Sequence, residues 1–238
     1  EIPGIKSGSE TTLKKLMRAT VESGATKIVP DRFEKVYYNW IEAALYRSLE
    51  LIGAETGYAN QPPGLIREDS DVVGNVLVQP RNNPVVRIGG DKTDADTSGR
   101  YRFVNNTFIT TGSATILQPF LRVQSVEMHN NVFYRTTGTA TIMSESDVQW
   151  VSGRIVGGSN NWVQTGSTVP SGWTGTISGT NPGLTNYTTD VRPLSNSALI
   201  NSGNTNTQSP AGYAFPSPLP VPTMIPSLRT AYSLGGAF

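Results

Sequence analysis

VVGNVLV at residues 72–78, FVNNTFI at 103–109, MHNNVFY at 128–134 and GSNNWV at 158–163 share one pattern. Each is a short apolar stretch that returns to asparagine. An earlier copy, VYYNWIE at 36–42, centres on Asn39. With Asn39, Asn75, Asn106, Asn131 and Asn161 taken as equivalents, the intervals are 36, 31, 25 and 30 residues. Returns at this period are the signature of stacked repeats. Asparagine suits a stacked turn, because its short side chain tolerates left-handed backbone and carries both a donor and an acceptor. Placed coil on coil, such residues form a hydrogen-bonded ladder. The unequal intervals imply constant strands joined by variable loops, and loops on one flank of a solenoid are where binding sites are built.

Outward from these returns, residues 71–162 read as a string of short strands separated by Gly, Asn, Asp and Ser, with no helical pattern between them. That disfavours a doubly wound α/β sheet. A sandwich also strings short strands between turns, and the Asn-centred returns favour the β-helix over it. Residues 36–53 mix helical propensity in AALYRSLEL with alternation in VYYNWIE and SLELIG. Leu49 and Leu51 share a face opposite Ser48, Glu50 and Ile52, and the reading is two strands around a turn or loop. Residues 54–69, with Gly57, Pro62, Pro63 and Gly64, form a long loop.

Residues 9–23 carry Leu13, Leu16, Met17 and Val21 at helical spacing behind a Ser9 N-cap. The expectation is a short capping helix across the N-terminal opening of the solenoid. Beyond residue 164 the chain is rich in Gly, Thr, Ser and Pro, too proline-rich at its end for a central strand. The expected organisation is a cap or insertion over 1–35, a parallel β-helix over 36–200 and an extended Pro-rich tail over 201–238 packing on its outside. The opening at Glu1, polar and without Met, reads as a mature or trimmed chain, or a C-terminal portion of something longer.

Composition limits the chemistry. The chain has 238 residues, net charge +1, 16% charged residues, 24 Gly, 16 Pro and no Cys. The near-zero net charge gives no electrostatic case for nucleic acid or an anionic membrane as partner. No window reaches the length of a transmembrane helix. The lack of cysteine excludes disulfides, thiolate metal sites and cysteine nucleophiles.

DVVGNVLVQ, VVRIGGD, YRFVNNTFI, VEMHNNVFY and GSNNWV, followed by DVRPLSNSALINSGN and a terminal GGAF, carry a resemblance. The chain resembles the C-terminal part of bacterial right-handed parallel β-helix proteins of the pectate-lyase-like superfamily, over roughly residues 36–238. That resemblance implies a secreted or cell-surface protein handling polysaccharide: a lyase, hydrolase, epimerase, or a binding or adhesion module. GIKSGSE at 4–10 is similar to the Lys-Ser segment of family 6 polysaccharide lyases, which act on alginate and dermatan. The similarity implies Lys6 as general base, with Arg47 the nearest candidate for the partner arginine. Arg47 lacks the Arg-His-Gly context of that family, and its acidic calcium ligands have no counterpart before Lys6.

β-Elimination on a uronate removes a proton alpha to a carboxylate, so the site needs a cationic neutraliser and a base of lowered pKa. Lys6 and Arg47 are the candidate catalytic pair, and the partner would be an acidic polysaccharide. Glu50, Asp69 and Asp71 are candidate ligands for a cation, calcium by chemistry. Asp91, Asp94 and Asp96 form a second acidic loop without the later Glu of an EF-hand. Trp40 and Tyr46 are candidate sugar-stacking platforms, although aromatics also favour strands and cores. His129, the only histidine, reads as a stacked turn residue. The alternative class is a non-enzymatic structural, adhesive or filament-forming β-helix, whose open ends invite self-assembly.

Overall fold

A computed structural model describes residues 27–28, 33–42, 46–52, 69–90, 99–146 and 148–215. Within them the chain is all-β. The first pass gives β1 (Lys27–Ile28), β2 (Phe33–Tyr37) and β3 (Trp40–Glu42). The second gives β4 (Leu49–Leu51), β5 (Asp69–Val73) and β6 (Val76–Gln79); the third, β7 (Val86–Ile88), β8 (Gly99–Val104) and β9 (Thr107–Thr110). The fourth gives β10 (Thr115–Pro119), β11 (Val123–His129) and β12 (Val132–Arg135); the fifth, β13 (Thr141–Met143), β14 (Val156–Ser159) and β15 (Trp162–Gln164). A shortened pass gives β16 (Trp173–Thr174) and β17 (Ile177–Gly179), and a hairpin of β18 (Leu184–Asn186) and β19 (Asp190–Pro193) follows.

Every third strand is a neighbour. Sheet A is β1-β4-β7-β10-β13, sheet B is β2-β5-β8-β11-β14-β16 and sheet C is β3-β6-β9-β12-β15-β17. All strand pairings within these three sheets are parallel; among the described residues the β18–β19 hairpin is antiparallel, as is the isolated bridge between Gly90 and Leu121. Three parallel sheets that each gain one strand per pass are consistent with a β-helix. The 9–23 helix and most of the 54–69 loop lie outside the described residues, as does the chain after residue 215.

The corner from sheet B to sheet C is the constant part. It has two residues: one in left-handed backbone, then the repeated asparagine. The left-handed positions are Tyr38, Gly74, Asn105, Asn130 and Asn160, with φ of 58°, 66°, 54°, 56° and 53°. At Gly74 a Cβ would stand 2.6 Å from the Tyr38 ring, so that coil takes glycine. The asparagines stack as the spacing predicts. The backbone N–H and Nδ2 of Asn106 both donate to Asn131 Oδ1, at 2.9 and 3.0 Å. Asn75 donates in the same way to Asn106, Asn39 to Asn75 and Asn131 to Asn161. Each Nδ2 from Asn75 onward also donates to a carbonyl of the preceding coil, at Val36, Val72, Phe103 and Met128. Thr176 stands where the next asparagine would be, because Ile177 is in register with Trp162, and the ladder stops there.

Alternation sets the core. Val36, Val72, Phe103 and Met128 point inward from sheet B, and Ile41, Leu77, Phe108, Phe133 and Val163 from sheet C. Leu49, Leu51, Val86, Ile88, Ile116 and Leu117 are buried from sheet A. Phe108 stacks on Phe133 at 4.8 Å, which in turn meets Trp173 at 5.6 Å. Such offset aromatic columns suit a core that repeats one layer at a time.

The outer faces differ. The hairpin lies on sheet C, where Val191 and Leu184 pack with Val76, Ile109, Trp40 and Val78. A strap over 199–215 runs along sheet B. Its backbone at Asn204 exchanges two hydrogen bonds with the Asn130 side chain, at 2.8 and 2.9 Å. Ser209 donates to Glu127 at 3.1 Å, and the Phe215 ring lies 4.4 Å from the Arg102 guanidinium. Among the described residues sheet A carries no such cover.

Candidate functional site

The outer row of sheet A comes from plain alternation. Glu50 lies between buried Leu49 and Leu51, and Arg87 between buried Val86 and Ile88. Gln118 follows buried Leu117 on β10. Register aligns these three as one row, Glu50 beside Arg87 beside Gln118. Arg47 enters from the connection between sheets C and A. Its Nη1 donates to Glu50 Oε1 at 2.8 Å and its Nη2 to Gln118 Oε1 at 3.0 Å, so one side chain reaches across the row. Arg87 is flanked by this span and lies over the Phe120 ring at 4.0 Å, a cation–π contact that also fixes its direction.

Tyr46 precedes Arg47 and is 56% exposed. Its carbonyl accepts from Gln79 Nε2, and Ser48 donates to Val78 O at 2.7 Å. These bonds hold residues 46–48 against the end of sheet C. The structure therefore brings Arg47, Glu50 and Tyr46 to one place.

It does not bring Trp40 or Asp69 there. Trp40 is on sheet C under the hairpin. Asp69 is on sheet B, bound by Arg100 through Nε at 3.0 Å and Nη2 at 2.5 Å. Asp71, also on sheet B, is held by Arg102 at 2.8 and 2.7 Å and accepts from the Tyr37 hydroxyl at 2.9 Å. The expected cluster of Glu50, Asp69 and Asp71 is thus split between two sheets, and each carboxylate faces an arginine. Among the described residues no group of three His, Asp or Glu side chains is placed to hold a metal ion. Lys6 and the Asp91, Asp94 and Asp96 loop lie outside the described residues.

Burial, and secondarily the Asp71 charge, push the Tyr37 hydroxyl pKa well above its ordinary value. Tyr37 is therefore a neutral donor to Asp71.

Arg87, Gln118 and Phe120 escaped the sequence reading, although a signal existed. Aligning Leu49-x-Leu51, Val86-x-Ile88 and Leu117-x-Pro119 as equivalent strands puts Glu50, Arg87 and Gln118 in one outward column. His129 is not a turn residue. It ends β11, 1% exposed, 3.0 Å from Ser159 Oγ through Nδ1 and 3.4 Å from Glu127 Oε2 through Nε2. No helix among the described residues is long and apolar enough to cross a membrane. No family model matches the chain, and neither a curated protein nor a solved structure does.

Proposed function

We propose that this chain is a right-handed parallel β-helix of the secreted or cell-surface kind that binds an acidic polysaccharide across the outer face of sheet A, in the service of β-elimination on a uronate. Handedness follows from strand twist, which makes parallel crossovers right-handed in nearly all cases. The observation that carries the functional reading is the pairing of Arg47 and Arg87 beside one row, on a sheet face that no described segment covers. Planar guanidinium matches a sugar carboxylate better than a lysine does. Tyr46 gives an exposed aromatic ring next to Arg47, suited to a sugar face. Because Glu50 and Asp69 are each engaged by arginine, this reading neutralises the uronate carboxylate through guanidinium, with calcium as an accessory. Lys6 is the proposed base.

The test is an absorbance scan near the ultraviolet edge with a panel of uronate polymers, with and without calcium, alongside a binding measurement at several salt concentrations. Unsaturated product is the expected result. Binding should weaken about tenfold in Arg87→Ala, the loss of one charge-assisted contact. A chain that neither binds nor cleaves any uronate polymer overturns the reading. One observation favours a second: β17 has a single neighbour, β15, among the described residues, and such an edge can be extended by another copy. Concentration-dependent assembly without polymer binding would identify the chain as a structural or filament-forming β-helix.

A further inference from the structure

Beneath the strap, on the face of sheet B, lies a cavity of about 360 Å³ that the reading of sheet A does not use. Its polar walls include His129, Ser159 and Thr174 from the sheet and Asn204, Asn206, Thr207 and Gln208 from the strap. Gly157, where a Cβ would stand 2.9 Å from Pro210 of the strap, keeps its floor at backbone level. We propose that this cavity is a binding site for a single neutral sugar unit.

Three observations select that ligand. The volume falls within the range of small-molecule sites. The lining has no Lys, Arg, Asp or Glu, and its apolar side chains are limited to Val156 and Pro210. A charged ligand finds no counter-charge there, and an apolar one finds little to pack on. A polyol is matched instead, because each of its hydroxyls donates and accepts, as do Ser, Thr, Asn and Gln.

The hydroxyl of Thr207 supplies an independent sign. Its Oγ1 is buried and has no hydrogen-bond partner within the chain. A buried hydroxyl left unpaired is costly, and rotation of the Thr207 side chain toward the cavity it lines lets a ligand hydroxyl satisfy it. On the opposite wall, His129 connects Ser159 to Glu127, and Ser209 donates to the other Glu127 oxygen. Ser159, held by His129 Nδ1 at 3.0 Å, lines the cavity with a hydroxyl placed to bond a sugar hydroxyl. Thr207 reaches the ligand from the strap and Ser159 from the sheet, so the ligand bridges the two elements.

His129 is the only histidine, so its ring signals in long-range nitrogen–proton NMR spectra report this cavity alone. The full chain is titrated with neutral hexoses and N-acetylhexosamines, with the corresponding uronic acids, and with oligosaccharides of each sugar. A saturable shift of the His129 signals with at least one neutral sugar is expected. Oligosaccharides binding as well as the monosaccharide assign the site to a chain end, and monosaccharide binding alone assigns it to a free sugar. Thr207→Val should weaken the interaction about tenfold, since it removes one hydrogen bond to the ligand and none within the protein. Thr207→Ser, which keeps the hydroxyl, should restore it. The proposal is overturned if no neutral sugar moves the His129 signals, if a uronic acid moves them as strongly as its neutral parent, or if a folded Thr207→Val chain binds with unchanged affinity.

Discussion

Asn106 shows what one ladder residue does. It is 1% exposed. Its Oδ1 accepts from the N–H and Nδ2 of Asn75, and its Nδ2 donates to Val72 O and Asn131 Oδ1. Asn106→Ala removes all four bonds at once and leaves the Asn75 N–H buried without an acceptor. Unpaired buried groups cost about 1–3 kcal/mol each, so the expected loss is about 3 kcal/mol in urea denaturation. A loss under about 1 kcal/mol would mean that the turn geometry, and not the ladder, sets the stacking. These asparagines were legible in the sequence because each sits in its own local apolar frame. Asp69 was not, because its partner Arg100 is 31 residues further on. A carboxylate read without its partner looks like a free ligand. Glu50 and Arg47 lie three apart, and their placement at one site needed no knowledge of the coils.

At the scale of elements, the strap decides the state of sheet B. Phe215 lies 4.4 Å from Arg102 and 5.2 Å from Arg100, above the pairs that these arginines make with Asp71 and Asp69. The ring shields both pairs from water, and its contacts with two guanidiniums fasten the end of the described strap. Phe215→Ala removes this anchor, and truncating a buried phenylalanine costs about 3–5 kcal/mol where the side chain is fully enclosed. Here the loss falls on docking of the strap, not on the coils, whose strands remain paired. Residues 199–215 should then be cut by protease far faster than in the parent chain, while hydrogen exchange of the sheet B amides stays slow. Equal cleavage of the two proteins would show that the strap's hydrogen bonds to Asn130, Asn160 and Glu127 hold it without the ring. The sequence said that such a proline-rich stretch makes no central strand. Which face it lies on is fixed by Asn130, Glu127 and the paired arginines, and those contacts join residues far apart in the chain, such as Arg100 and Phe215.

For the whole molecule, the distribution of variable and constant connections is the informative property. Sheet B passes to sheet C through the same two-residue corner in every coil. Sheet A passes to sheet B through residues 52–68, 89–98, 120–122 and 144–155, and these connections absorb the unequal intervals between asparagines. A corner residue is bonded to the coils on both sides. The entropic cost of lengthening a loop grows only logarithmically, about 0.6 kcal/mol per doubling. Inserting Gly-Ser between Ser152 and Gly153, both exposed and with open space beside Gly153, should therefore shift the melting temperature by no more than about 2–4 °C. The same two residues placed between Asn130 and Asn131 separate the left-handed residue from its ladder asparagine. That insertion breaks the bonds of Asn131 to Asn161 and Phe103 and the register of β11 with β12 against their neighbours, and a far larger drop or failure to fold is expected. If both insertions were tolerated equally, the corner would not be the element that fixes the stacking. The asymmetry also ties fold to function. The connections free to vary are those that leave the ends of sheet A, next to the Arg47, Arg87 and Gln118 row, so the flank most able to change in sequence is the one that borders the proposed polysaccharide face.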